Sequence, residues 1–203
     1  MSTFQRYDFR SFLSRFTELD RVGLFNVLKE LPDLSPSGPW LAGGAIRRVL
    51  IGDSLNSDFD FFFRDAEQLD SFRKALKDKG AKKTASNDHA ETYVVNLAGK
   101  DRVIQLIKIG FYKTPEDVLD SFDFTITQFA YDGKDLIAGQ YSLWDLARKR
   151  LALHRLTYGV ATMRRLIKYT NQGFTACSGV MQSILQAVVE NPGVIQSDVQ
   201  YVD

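Results

Sequence analysis

The sequence contains one cysteine, two histidines and almost no net charge, +1 at pH 7, and these shortages narrow its chemistry before any motif is considered. Cys177 has no partner for an internal disulfide, and with two histidines no Cys/His zinc spacing can be written. The expectation is a reducing compartment, the cytoplasm, and no structural zinc. A balance of 26 Lys and Arg against 25 Asp and Glu excludes a globally basic nucleic-acid coat, so phosphate contacts fall to local patches such as Arg47–Arg48 and Arg164–Arg165. No stretch approaches the roughly 20 apolar residues of a membrane span. Met1–Arg15 is charged throughout and does not read as a signal peptide, so no direct membrane insertion is expected.

What is present is enough for one compact domain with a core of its own, since 203 residues bury most of their apolar surface. Helical spacing of Phe9, Phe12, Leu13 and Phe16, then Leu24, Phe25 and Leu28, predicts a helical leader over 1–35, broken at Gly23. The turn-rich PDLSPSGP leads into a short strand at 40–42, a Gly43–Gly44 turn and a helix over 45–51. Strands are expected at 57–63, near 81–86, at 92–97, 102–109 and 124–131, with helices at 66–78 and 115–122. Asp65 and Thr114 stand at helix N-caps, with Pro115 at the first helical position. These elements make a core over 36–140, an α/β (α+β) fold with a mixed sheet of about five strands. Helices at 142–156, 160–171 and 179–190 form a C-terminal cluster over 141–191, and 192–203 reads as a flexible tail.

On a strand, residues two apart face the same way, so Asp58 and Asp60 project together while Phe59, Phe61 and Phe63 enter the opposite layer. Two carboxylates on one rigid face make a hard oxygen site suited to Mg²⁺, with Mn²⁺ as an alternative. Such a site serves in-line phosphoryl displacement. A lone D-x-D is a weak signal, but a buried aromatic strand does not keep two unpaired carboxylates without a cation or donors. Gly43 and Gly44 let backbone approach a phosphate, or simply make a tight turn without a ligand. Arg47, one turn into the following helix, is a candidate for the triphosphate. Arg164 and Lys168, four apart, share a helix face that could line a nucleotide cleft. Arg165 and Arg148 read as solvated surface charge.

The run LAGGAIRRVLIG followed by SDFDFFF resembles the head of CCA-adding and poly(A) polymerases, within the polymerase-β-like nucleotidyltransferase superfamily. DFTITQFAYDG at 123–133 and ATMRRLIKYTNQGF at 161–174 are similar to two later motifs of that family, in the same order. The resemblance implies a metal-dependent nucleotidyltransferase. It also marks departures: Ser121–Phe122 stand where the family has paired arginines, Arg48 where it has aspartate, and Gln105 where its third catalytic carboxylate is found. By position Asp123 is the substitute third ligand and Glu91 a lesser one, while Asp123 could equally be a cap or a ribose contact.

Without a large RNA-binding body and with Tyr201 near its end, the sequence is also similar to the Hailong protein B enzymes of phage defence. That resemblance implies synthesis of short single-stranded DNA from dATP, primed on the Tyr201 hydroxyl, with a partner membrane channel that binds the product. A homo-oligomer remains open. Two other readings stay on the table: a transferase acting on RNA or tRNA ends or on a protein, and a catalytically silent nucleotide-binding module, for which Gln105 speaks.

Overall fold

The aromatic run Phe59–Phe62 forms strand β3, and the rest of the chain is arranged around it. In the computed structural model, which describes residues 4–15 and 23–195, β3 lies between β2 (Trp40–Ala42) and β6 (Lys100–Ile107). It pairs antiparallel with β2 and parallel with β6. Beyond β6 lie β5 (Ala90–Leu97) and β4 (Lys82–Ser86); beyond β2 lie β7 (Phe129–Tyr131), β8 (Asp135–Gly139) and β1 (Phe4–Asp8). The sheet is therefore mixed, in the order β1-β8-β7-β2-β3-β6-β5-β4.

Among the described residues the sheet has eight strands in place of the expected five or so, and each addition has an identifiable cause. Phe4–Asp8, expected to be helical, is a strand because its pairing with β8 is long-range. Arg6 completes it by reaching Glu116 at 2.8 Å and the buried Asp132 at 3.0 Å. Helix follows only at α1 (Phe9–Ser14), capped by Asp8, and at α2 (Leu24–Leu28), which starts after Gly23 in a left-handed conformation, φ +74. Strand β4 is exposed along its length, and its ladder with β5 shifts register between Lys83 and Ala85. The segment expected as one strand from Phe124 is interrupted by a 3-10 turn at Thr125–Thr127. There Thr125 Oγ1 donates to the buried Asp145 at 2.7 Å and Thr127 Oγ1 donates to the Phe124 carbonyl.

Helix α3 (Gly44–Leu50) follows β2, and α4 (Ala66–Asp78) follows β3. Asp65 caps α4 by accepting from Gln68 N, as its sequence position predicts. Phe72 of α4 packs on Phe61 and Phe63, with ring centroids 4.7 and 5.6 Å apart. Phe59, Phe61 and Phe63 thus enter the larger core, whereas Phe62 joins Trp40 and Ala42 in a second cluster under α5 (Pro115–Asp120). Thr114 and Asp117 form a reciprocal capping box on α5.

After the sheet comes α6 (Ser142–Ala147), shorter than expected because Lys149 takes φ +51 and the chain enters β9 (Arg150–Leu151). Strand β10 (Thr175–Ala176) pairs with β9 between α7 (Gly159–Asn171) and α8 (Ser178–Glu190). Among the described residues no helix is long and apolar enough to cross a membrane.

Candidate active site

Alternation along β3 decides the site. With Phe59 and Phe61 in the large core, Asp60 and the preceding Asp58 emerge on the opposite face, half-buried. Asp60 lies in register with Ala42 of β2 on one side and Gln105 of β6 on the other. Gln105 turns its amide to Asp58, with Nε2 donating to Oδ2 at 2.8 Å.

Gly43 follows β2 at φ +82, ψ −129, a conformation for which glycine has no steric penalty. A Cβ at this position would lie 3.6 Å from Asp60 Oδ2. The turn therefore brings bare backbone against the second aspartate. Gly44 packs on Ser57, whose hydroxyl is buried without a hydrogen-bond partner.

Burial pushes Asp58 above the usual carboxylate range, with Lys168 opposing the shift. Asp60 is pushed up to about 7, first by burial and then by the negative charge of Asp58, while Lys168 and Arg165 pull the other way. Two half-buried carboxylates, one of them raised further by the charge of the other, are relieved by a cation between them. That chemistry and the orphaned Ser57 hydroxyl fit a divalent ion held by Asp58 and Asp60. Among the described residues no third Asp, Glu, His or Cys joins the pair in a metal-holding group.

Asp123 is placed differently from a free ligand. It is buried early in the α5–β7 connection, three residues after α5, where Thr162 Oγ1 donates to its Oδ2 at 3.0 Å and Arg165 pairs with the same oxygen. Arg165 is thus no surface charge: α7 lays it over Asp123 and turns Lys168 toward the aspartate pair. Sequence reading missed Arg165 because its partner lies 42 residues earlier. Arg164 is exposed on α7. Arg148, by contrast, stacks on the exposed Trp144 at 4.0 Å, as surface charge does.

Arg47 is buried at the junction of α3 with the end of α7. Its guanidinium lies 4.8 Å from the Tyr169 ring centroid and 5.3 Å from that of Phe174, and Nη2 donates to Gln172 at 2.8 Å. Phe122, in place of an arginine, is brought close to Gly43 and forms an edge contact with Phe62 at 5.7 Å. An aromatic wall therefore stands beside the carboxylates. Glu91 is taken up by Arg73, Tyr93 and Lys83. Tyr201 lies outside the described residues.

Solved structures share this arrangement at the level of the fold. A CCA-adding enzyme of Thermotoga maritima, complexed with tRNA, is 20% identical with a TM-score of 0.58, covering 94% of this chain and 47% of that one. A CCA-adding enzyme in complex with ATP is 19% identical with a TM-score of 0.60, covering 95% and 48%. The fold is shared with about half the length of these CCA-adding enzymes. Among curated proteins, Gabija anti-defense 2 of Bacillus phage SPbetaL7 is 25% identical over 139 residues, which are 66% of this chain and 33% of that protein. The chain thus spans about a third of this relative's length and about half that of the solved structures. A family model described as Gabija anti-defense 2 family protein matches residues 3–149, a span that holds the Gly43 turn, the Asp58–Asp60 pair, Gln105 and Asp123, and the chain belongs to that family.

Proposed function

We propose that this protein is a divalent-metal-dependent nucleotidyltransferase that counters Gabija defence. The carrying observation is the pair Asp58 and Asp60, emerging together beside the Gly43 turn and faced by Lys168. A Mg²⁺ or Mn²⁺ ion held there would neutralise charge on a transferring phosphoryl group. Gly43 leaves backbone open to the phosphates, and Lys168 adds a positive charge on the α7 side. Phe122 offers a ring face to a nucleobase. Asp123 holds Arg165 in place in this reading and does not ligate the metal. Arg47, buried under Tyr169 and Phe174, fixes α3 against α7 and so sets the glycine turn.

The solved relatives are complexes with ATP, with CTP and with tRNA, which supports a nucleoside triphosphate as donor. The printed name of the phage relative assigns that protein an anti-defense role, and we place this chain on that side of the contest. The finer form of the reading rests on sequence resemblance: dATP as donor, Tyr201 as the first acceptor, single-stranded DNA as product, a membrane channel as its receiver. A silent nucleotide-binding module is the second reading, and the Gln105 amide on Asp58 is the observation that favours it.

The test is incubation with Mg²⁺ or Mn²⁺ and each of the eight common nucleotides, followed by intact mass of protein and products. Transfer that disappears in Asp58→Asn and Asp60→Asn supports the enzyme. Nucleotide binding without any transfer, to protein, RNA or nucleotide acceptors, would leave the silent module.

A further inference from the structure

Gln105 is buried in the middle of β6, in register with Asp60 on β3 and Thr92 on β5. Its Nε2 donates to Asp58 Oδ2 at 2.8 Å, so its side chain lies on the same face as the aspartate pair. A carboxylate in this place would give three negative groups on one face. The amide gives none in either orientation: as seen, its N–H takes a lone pair of Asp58, and turned over it would offer only a neutral oxygen.

Among the described residues, two cationic side chains act on the pair. Asp58 and Asp60 are opposed by Lys168 and Arg165, the latter also paired with Asp123. Two divalent ions set about 3.5–4 Å apart, as in two-metal sites, need bridging carboxylates to offset their mutual repulsion. Two carboxylates faced by two cationic side chains do not supply that charge. One ion is within their reach, and phosphate oxygens of a bound nucleotide would complete its oxygen shell, as Mg²⁺ sites on few carboxylates commonly do.

We propose that Gln105 restricts the Asp58–Asp60 site to a single divalent cation, the one that accompanies the nucleotide. This rests on the metal-dependent reading of the same residues. The acceptor hydroxyl then has no ion of its own to lower its pKa, so any transfer is slow, and the site favours holding a nucleotide over passing it on. Gln105→Glu supplies the missing charge in register with Asp60.

The test counts bound Mn²⁺ per chain on the full protein, from the electron paramagnetic resonance signal of the free ion. The wild type is expected to take up one Mn²⁺ and Gln105→Glu two, while Gln105→Ala stays at one. Two ions in the wild type, or one in a folded Gln105→Glu, overturns the proposal and leaves the metal-dependent reading standing. Should Gln105→Glu fail to fold, the wild-type and Gln105→Ala counts decide alone. No uptake by the wild type, or uptake unchanged in Asp58→Asn and Asp60→Asn, sinks both.

Discussion

Arg165 on α7 closes onto Asp123 just after α5, and Thr162 donates to the same carboxylate oxygen at 3.0 Å. The pair ties the C-terminal helices to the strand layer. Because Asp123 is buried, removing the arginine strands a carboxylate. Arg165→Met should therefore cost roughly 3 kcal/mol in urea unfolding. Adding Asp123→Asn to it should return part of that loss, since the double variant leaves no uncompensated charge. If Asp123 does not ligate metal, Asp123→Asn alone keeps the wild-type Mn²⁺ uptake. A lost ion would restore Asp123 to the ligand set.

Asp60 predicts an unusual pH dependence. Its folded-state pKa, about 7, lies above the ordinary 3.8, so between these values the folded chain binds more protons than the unfolded one. Stability from this residue is present below pH 3.8 and declines as pH rises toward 7. The full span corresponds to about 4 kcal/mol; partial solvent contact reduces this to roughly 1–2 kcal/mol. Asp60→Asn should accordingly melt higher than wild type at pH 8 and no higher at pH 4. Mg²⁺ should raise the wild-type melting temperature at pH 8 and leave the variant unmoved.

Gly43→Ala tests the turn itself. The new Cβ would meet Asp60 Oδ2 at an ordinary 3.6 Å, but φ +82 with ψ −129 is a backbone conformation that alanine adopts only under strain. A loss of about 1–3 kcal/mol is expected by thermal melting. Nucleotide affinity should fall as well, because relieving the strain moves the backbone that flanks the aspartates. Unchanged stability and affinity would show that the turn needs no glycine.

The carboxylate pair was legible because the period of a strand places Asp58 and Asp60 on one side whatever else the chain does. Thr114 and Asp65 were legible as caps for the same reason, since a cap is settled within four residues. The edge strand β1 was not. Its five residues are mostly polar, and the reasons it is a strand, β8 and the acids that hold Arg6, lie more than a hundred residues away. Arg165 shares this fate, and so do the ring contacts of Arg47, because Tyr169 and Phe174 are distant in sequence and close in space. Gln105 was visible as a substitution, though its hydrogen bond to Asp58 needed coordinates.

Glu91 carries an acid-stability prediction of the opposite sign to that of Asp60. Burial alone would raise its pKa, yet hydrogen bonds from Arg73, Tyr93 and Lys83 outweigh burial and hold it at about 2, below the ordinary 4.5. Between those values the unfolded chain binds more protons, so stability rises with pH. The contribution is complete above about pH 4.5 and is lost as pH falls toward 2. Glu91→Gln should be less stable than wild type at pH 7, by roughly 1–3 kcal/mol, and the gap should close on acidification.

The far edge of the sheet bears on how copies of this protein meet. Among the described residues no strand pairs with the outer side of β4, which is a ready template for another chain's strand. Its sequence KKTAS puts two ammonium groups at the start of that ladder, and the register break between Lys83 and Ala85 bends it out of line. A second copy docking there would have to bring like charges together along a bent edge. The expected consequence is that concentrated protein resists growing the sheet sideways from one molecule into the next.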